Sequence, residues 1–205
     1  MADVWYVAYG SNLWSRRLAC YLAGGTAPGS TRANRGARDP KPPKDHVAFD
    51  ITGRVVFAQR SSTWVDDTAA GSGVAFVDVE ARGVTPARAW RVTAEQFDDV
   101  FAQENGGTAD GAARAHSGGW YGRVIRLDDI DGLGAYTFTC TDVSALEVNR
   151  PAPAYLVAIA RGYAELHDWS ASETARYLAP LAGVAETYTA SELHHILDVH
   201  VTGTG

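Results

Sequence analysis

The sequence predicts an α+β or small-barrel architecture, because short β-type runs and amphipathic helical stretches alternate without a regular order. Three observations carry this expectation. Val4 to Tyr9 is a strand-forming run that passes straight into Gly10-Ser11-Asn12-Leu13 and a helical pattern. Four short Val- and Phe-rich runs then follow between His46 and Val92, separated by Gly, Asp, Ser or Pro. Finally, Thr93 with Gln96 and Ser170 with Glu173 have the spacing of capping boxes, each opening an apolar periodic stretch. A chain of 205 residues, 46% hydrophobic and 20% charged, with no internal repeat or dividing linker, is expected to fold as one domain over residues 1–205.

The first strand sets the frame. Val4, Tyr6 and Ala8 share one face and Trp5, Val7 and Tyr9 the other, so both faces are apolar and the strand is expected to be buried on both sides. Beyond it, Trp14, Leu18, Tyr21 and Leu22 recur at helical spacing, and Gly24-Gly25 is the stop. Ser11 or Asn12 is a natural N-cap for this helix. The turn would then present backbone N–H groups that attract a carboxylate or phosphate, unless it is a capped turn with no ligand. The loop Thr26 to Asp45 carries Arg32, Arg35, Arg38, Lys41 and Lys44, but Pro40, Pro42 and Pro43 prevent a helical basic face. A solvated, partly extended loop is expected there.

Strands are expected at Val47–Ile51, Arg54–Arg60, Gly73–Val79 and Ala87–Val92, with Asp66-Asp67 in a polar turn. The helix opened by Thr93 places Phe97, Val100 and Phe101 on its apolar stripe. Glu104 lies three after Phe101 and four after Val100, and so continues that stripe. A carboxylate on a core-facing position near a helix C-terminus has its pKa raised by desolvation and by the helix dipole, the setting that makes a glutamate a general acid/base. The alternative is a helix that frays at Gln103 and leaves Glu104 exposed. Gly106 to Gly119 is a long Gly/Ala-rich loop. Strands Trp120–Leu127 and Ala135–Thr141 follow, and then helices over 154–167, from Ser170, and over 191–200. Leu156, Ile159, Tyr163 and Leu166 point inward from the first of these.

Several function classes are excluded. A net charge of −6 argues against a nucleic-acid partner. No apolar run is long enough for a membrane span, and no basic-then-apolar start indicates a signal peptide, so a cytoplasmic protein without a membrane partner is expected. Cys20 and Cys140 are expected to be reduced and packed in the core. His194, His195 and His200 lack the pairing of a zinc site, and no phosphate loop, dinucleotide fingerprint or nucleophile elbow is present. The expected chemistry is proton transfer by side chains, with no cofactor and no metal.

Tyr9-Gly10-Ser11-Asn12-Leu13 in its strand-to-helix context, Trp90 followed by a helix ending in Gln103-Glu104, and Pro153-Ala154-Tyr155-Leu156 together resemble the γ-glutamylcyclotransferase-like family. Trp64 through Ala75 resembles the family's middle segment more loosely. The resemblance implies an α+β fold with a small mixed β-barrel flanked by helices. It places a substrate loop on Tyr9, Gly10, Ser11, Asn12 and Leu13, the acid/base on Glu104, and a substrate-lining tyrosine on Tyr155. A second lining aromatic falls at Tyr136, with Phe138 competing for the place. The implied partner is a small-molecule γ-glutamyl amide or peptide, converted to 5-oxoproline and a free amine. Transfer of the γ-glutamyl or another acyl group to an external amine, or a binding module on the same fold, are the alternatives.

Overall fold

The computed structural model describes residues 2–64, 71–107 and 120–201. The first strand, β1 (Asp3–Ala8), is the middle of a five-stranded sheet. The other elements, in chain order, are α1 (Ser15–Ala23), β2 (Asp45–Thr52), β3 (Arg54–Ala58), β4 (Gly71–Asp78), β5 (Val84–Thr93), α2 (Ala94–Glu104), β6 (Arg123–Ile130), β7 (Leu133–Thr139), β8 (Arg150–Pro151), α3 (Pro153–His167), α4 (Ala171–Leu178) and α5 (Ala190–Val201). The large sheet has the order β2-β5-β1-β7-β6. In it, β1 runs antiparallel to β5, with Tyr6 opposite Trp90, and parallel to β7, with Tyr6 opposite Tyr136. Trp5 through Tyr9 are all buried, as a strand covered on both faces requires.

The remaining strands form a separate sheet, β3-β4-β8. The α+β class therefore holds, but the two sheets do not close into a barrel. The last strand of the small sheet is two residues long and ends at Pro151, which has no N–H to extend the ladder.

The start of α1 differs from expectation. Ser11–Leu13 form a 3-10 turn of their own, closed by Leu13 N–H to Gly10 O at 3.0 Å and Trp14 N–H to Ser11 O at 3.1 Å. The N-cap of α1 is Trp14, with no side-chain cap. Instead Ser15 donates through its backbone N–H (3.0 Å) and its hydroxyl (2.8 Å) to the Glu165 carboxylate, which also pairs with Arg88 at 2.9 Å. The anion at this helix terminus is thus the protein's own, delivered from α3. Gly162 lets α3 approach so closely: a Cβ there would lie 2.7 Å from the Leu13 carbonyl carbon and 2.8 Å from the Trp14 nitrogen.

The capping boxes at Thr93 and Ser170 form with both reciprocal bonds. Leu156, Ile159 and Tyr163 are buried, and Leu166 is partly exposed. The basic loop is tied down at Arg38, which pairs with Glu95 and the fully buried Asp99, and at Lys44, which pairs with Asp3. Cys20 and Cys140 are free thiols, the second buried and the first partly exposed. Asp66-Asp67 and residues 108–119 lie outside the described residues. Among the described residues no helix is long and apolar enough to cross a membrane.

Candidate active site

The strand end, the 3-10 turn and the C-terminus of α2 meet at a cavity of ≈ 440 Å³, a size that suits a small molecule. Tyr6 enters it from β1, Tyr9 from just beyond the end of that strand, Gly10, Ser11 and Asn12 from the turn, Glu104 from α2 and Tyr155 from α3. The Asn12 side-chain amide donates to Glu104 Oε1 at 3.0 Å and to the Tyr6 hydroxyl at 3.0 Å. The backbone of Asn12 is fixed in turn, since its carbonyl accepts from Trp90 Nε1 at 2.9 Å. Two of the segments singled out in the sequence, the turn and the stretch from Trp90 to Glu104, therefore converge through one asparagine.

The α2 helix runs to Glu104 and does not fray before it. Asn105 holds its end, donating to Phe101 O at 3.0 Å while its side-chain oxygen accepts from Tyr121 N–H at 2.9 Å. Burial raises the Glu104 pKa above the ordinary glutamate value. The positive charge of Arg17 and hydrogen bonds from Tyr21 and Asn12 oppose the rise. The carboxylate therefore has a cationic neighbour in Arg17.

Arg17 is one of the residues that sequence reasoning missed. It is 3% exposed, its guanidinium donating to Asn34 Oδ1 (2.8 Å) and the Tyr21 hydroxyl (2.9 Å) and lying against the rings of Tyr21 and Trp64. Tyr21, Trp64 and Tyr121 also line the cavity. The signal at position 17 was its spacing, three after Trp14 and four before Tyr21, on the stripe that marks the buried face.

Tyr155 closes the far wall. Its hydroxyl oxygen accepts from Ala75 N–H at 3.1 Å, and desolvation pushes its pKa up to about 12, opposed by that peptide N–H. Tyr121 donates to the carbonyl of the same Ala75 at 3.1 Å. Gly10 leaves room for this arrangement, since a Cβ there would lie 2.8 Å from the Tyr155 hydroxyl.

No family model matches the chain. Histone deacetylase 5 of Arabidopsis thaliana is 32% identical over 205 aligned positions, which take in 86% of this chain and 30% of that protein. The chain thus spans less than a third of that relative's length. Among solved structures, a γ-glutamyl cyclotransferase matches 98% of this chain and 100% of its own, with a TM-score of 0.57 and 17% identity. A human protein described as uncharacterized matches 82% of each chain, with a TM-score of 0.51 and 18% identity. The chain has the γ-glutamyl cyclotransferase fold.

Within this γ-glutamyl cyclotransferase fold, two of the expected substrate-lining positions lie away from the cavity. Leu13 is fully buried beneath the turn, where it packs against Gly162 of α3. Tyr136 packs against Phe97 on the core side, and the aromatic that lines the cavity from β7 is its competitor, Phe138. The strand register decides between them, because residues two apart share a face but differ in depth along it. Among the described residues no group of three His, Cys, Asp or Glu could hold a metal ion.

Proposed function

We propose that the protein is a γ-glutamyl cyclotransferase that needs no cofactor, with Glu104 as its general acid/base. The observation that carries this reading is the Asn12–Glu104 hydrogen bond. It fixes a carboxylate of raised pKa directly beside the Gly10-Ser11-Asn12 turn, inside a cavity of small-molecule size. The chemistry follows from what these groups can do. The α-amino nitrogen of a γ-glutamyl amide, folded back on itself, attacks its own γ-carbonyl carbon, so no protein nucleophile is required. A C–N bond closes the five-membered ring while the carbonyl oxygen becomes an oxyanion. The first N–H groups of the 3-10 turn have no acceptor within the turn and suit that oxyanion or the substrate carboxylate.

Glu104, ionised when substrate binds, takes the proton from the substrate ammonium. It then gives a proton to the departing amine as the original amide C–N bond breaks. The products are 5-oxoproline and a free amine, and no water is consumed. The buried tyrosines stay neutral, because desolvation raises the pKa values of Tyr6, Tyr9, Tyr21 and Tyr121 as it does that of Tyr155. They shape and polarise the cavity without competing as bases.

The test is 5-oxoproline release, followed by mass spectrometry, from a panel of γ-glutamyl dipeptides and γ-glutamyl amines. Glu104→Gln is expected to fold and to lose at least ~10²-fold in rate, the low end for general acid/base catalysis. Near-normal turnover in that variant would sink the mechanism. A new amide in place of 5-oxoproline would establish transfer to an external amine.

A further inference from the structure

The described lining of the cavity contains four arginines, Arg17, Arg32, Arg35 and Arg60, against one carboxylate, Glu104. The whole chain carries −6, so this local excess of positive charge is not a by-product of composition. The four divide by depth. Arg17 is buried beside Glu104, whereas Arg32, Arg35 and Arg60 are exposed at the mouth. Among the described residues Arg32 and Arg35 engage neutral acceptors, Ser62 Oγ at 3.4 Å and Gly107 O at 2.7 Å. Arg60 has no ion-pair partner among the described residues. The loops that carry these arginines are stitched together, since Thr31 donates through its N–H to Thr63 O (2.9 Å) and through its hydroxyl to Ser62 O (2.8 Å). Arg35 is anchored three residues beyond Glu104, so the mouth stands in fixed relation to the catalytic carboxylate.

A γ-glutamyl substrate has two ends. If its reacting end lies against Glu104 and the Gly10-Ser11-Asn12 turn, its amine half must lie toward the mouth. We infer that the amine half is acidic: the preferred substrate joins the γ-glutamyl group to an amine bearing at least two negative charges, as in a γ-glutamyl link to an acidic amino acid. This inference rests on the cyclotransferase reading for the direction in which the substrate lies. Guanidinium groups are suited to it because each can bind a carboxylate through paired N–H donors. The mouth is exposed, so each arginine contributes only a factor of about two, and the three together about tenfold.

A matched pair of substrates tests the charge alone. γ-Glutamylglutamate and γ-glutamylglutamine have nearly the same shape and differ by one carboxylate on the leaving amine. Wild type is expected to turn over the glutamate compound with about tenfold higher kcat/KM, the gain residing in KM. The ratio should shrink toward one at roughly 0.5 M salt, where the Debye length falls to about 4 Å. In the double variant Arg32→Gln, Arg60→Gln the ratio is expected to fall to less than half its wild-type value. In Arg82→Gln, which lies outside the cavity, it should stay as in wild type. Equal turnover of the two by wild type, or a ratio unmoved in the double variant, would overturn the inference and leave the cyclotransferase reading standing. If neither compound yields 5-oxoproline while other members of the panel do, the inference is overturned and the cyclotransferase reading stands. If no member does, that reading fails, and calorimetric binding of the same pair to Glu104→Gln decides the charge preference separately. Tighter binding of the glutamate compound supports an acidic ligand, and equal or absent binding overturns it.

Discussion

A guanidinium buried beside a carboxylate sets the pH at which that carboxylate can act as a base. Arg17 holds down a Glu104 pKa that burial raises. Activity that needs ionised Glu104 should rise with pH through this raised pKa and so show an acid limb above the range of an ordinary glutamate. Arg17→Met removes the charge but keeps an unbranched apolar stem, so Glu104 should ionise only at higher pH. The acid limb of kcat/KM against pH is then expected to move upward, and an unmoved or lowered limb would separate Arg17 from the carboxylate. Glu104 itself was legible in the sequence because it continued the Phe97, Val100, Phe101 stripe. Arg17 shared its own helix's stripe with Trp14, Leu18 and Tyr21, but nothing in one sequence tells a buried arginine from one that breaks an apolar face. Its partners Asn34 and Trp64 are supplied by loops far along the chain.

The element that presents Glu104 is α2, and its two ends are held in different ways. At its start, Thr93 accepts from Gln96 N–H at 3.1 Å and Gln96 Oε1 accepts from Thr93 N–H at 3.0 Å. The same Gln96 side chain donates to Asp39 O and Lys41 O, so the box also pins the basic loop. Thr93→Ala is expected to cost about 1 kcal/mol in chemical denaturation, the typical value for a lost N-cap. The Asn105 clamp at the other end should keep Glu104 in place, so the rate per folded molecule ought to remain near that of wild type. This box was readable because capping is local, within four residues. The start of α1 was not readable for the opposite reason. Ser11 and Asn12 had the right chemistry for a cap, but the anion that serves the helix comes from Glu165, 150 residues away. The close passage of Gly162 over Leu13 is equally non-local. Gly162→Ala should therefore destabilise the fold by more than the ~1 kcal/mol that the same change gains in an ordinary exposed helix.

At the scale of the whole molecule, every strand but the two-residue β8 was found in order, and the arrangement was not, because local patterns carry no information about which edges pair. The parallel neighbour of β1 is β7, some 130 residues on, and that pairing brings Phe138 to the cavity. What the arrangement builds is a partly buried, desolvated carboxylate, and such a group burdens the fold that holds it. With its pKa raised in the folded state, Glu104 binds more protons folded than unfolded between its unfolded value near 4.5 and its folded value. Stability should therefore fall as pH rises through that window, by up to about 1.4 kcal/mol per pH unit, and remain reduced above it. The contribution is fully present only below the unfolded pKa. Glutamine has the same shape and no proton to lose, so Glu104→Gln is expected to escape this loss. The difference in unfolding free energy between variant and wild type should move in favour of the variant as pH is raised from 4 through the folded pKa of Glu104, then level off. A difference that stayed flat as pH rose would mean that Glu104 is as well solvated as in the unfolded chain. An inactive variant that gains relative stability with rising pH would mark Glu104 as a group kept for chemistry at the expense of the fold.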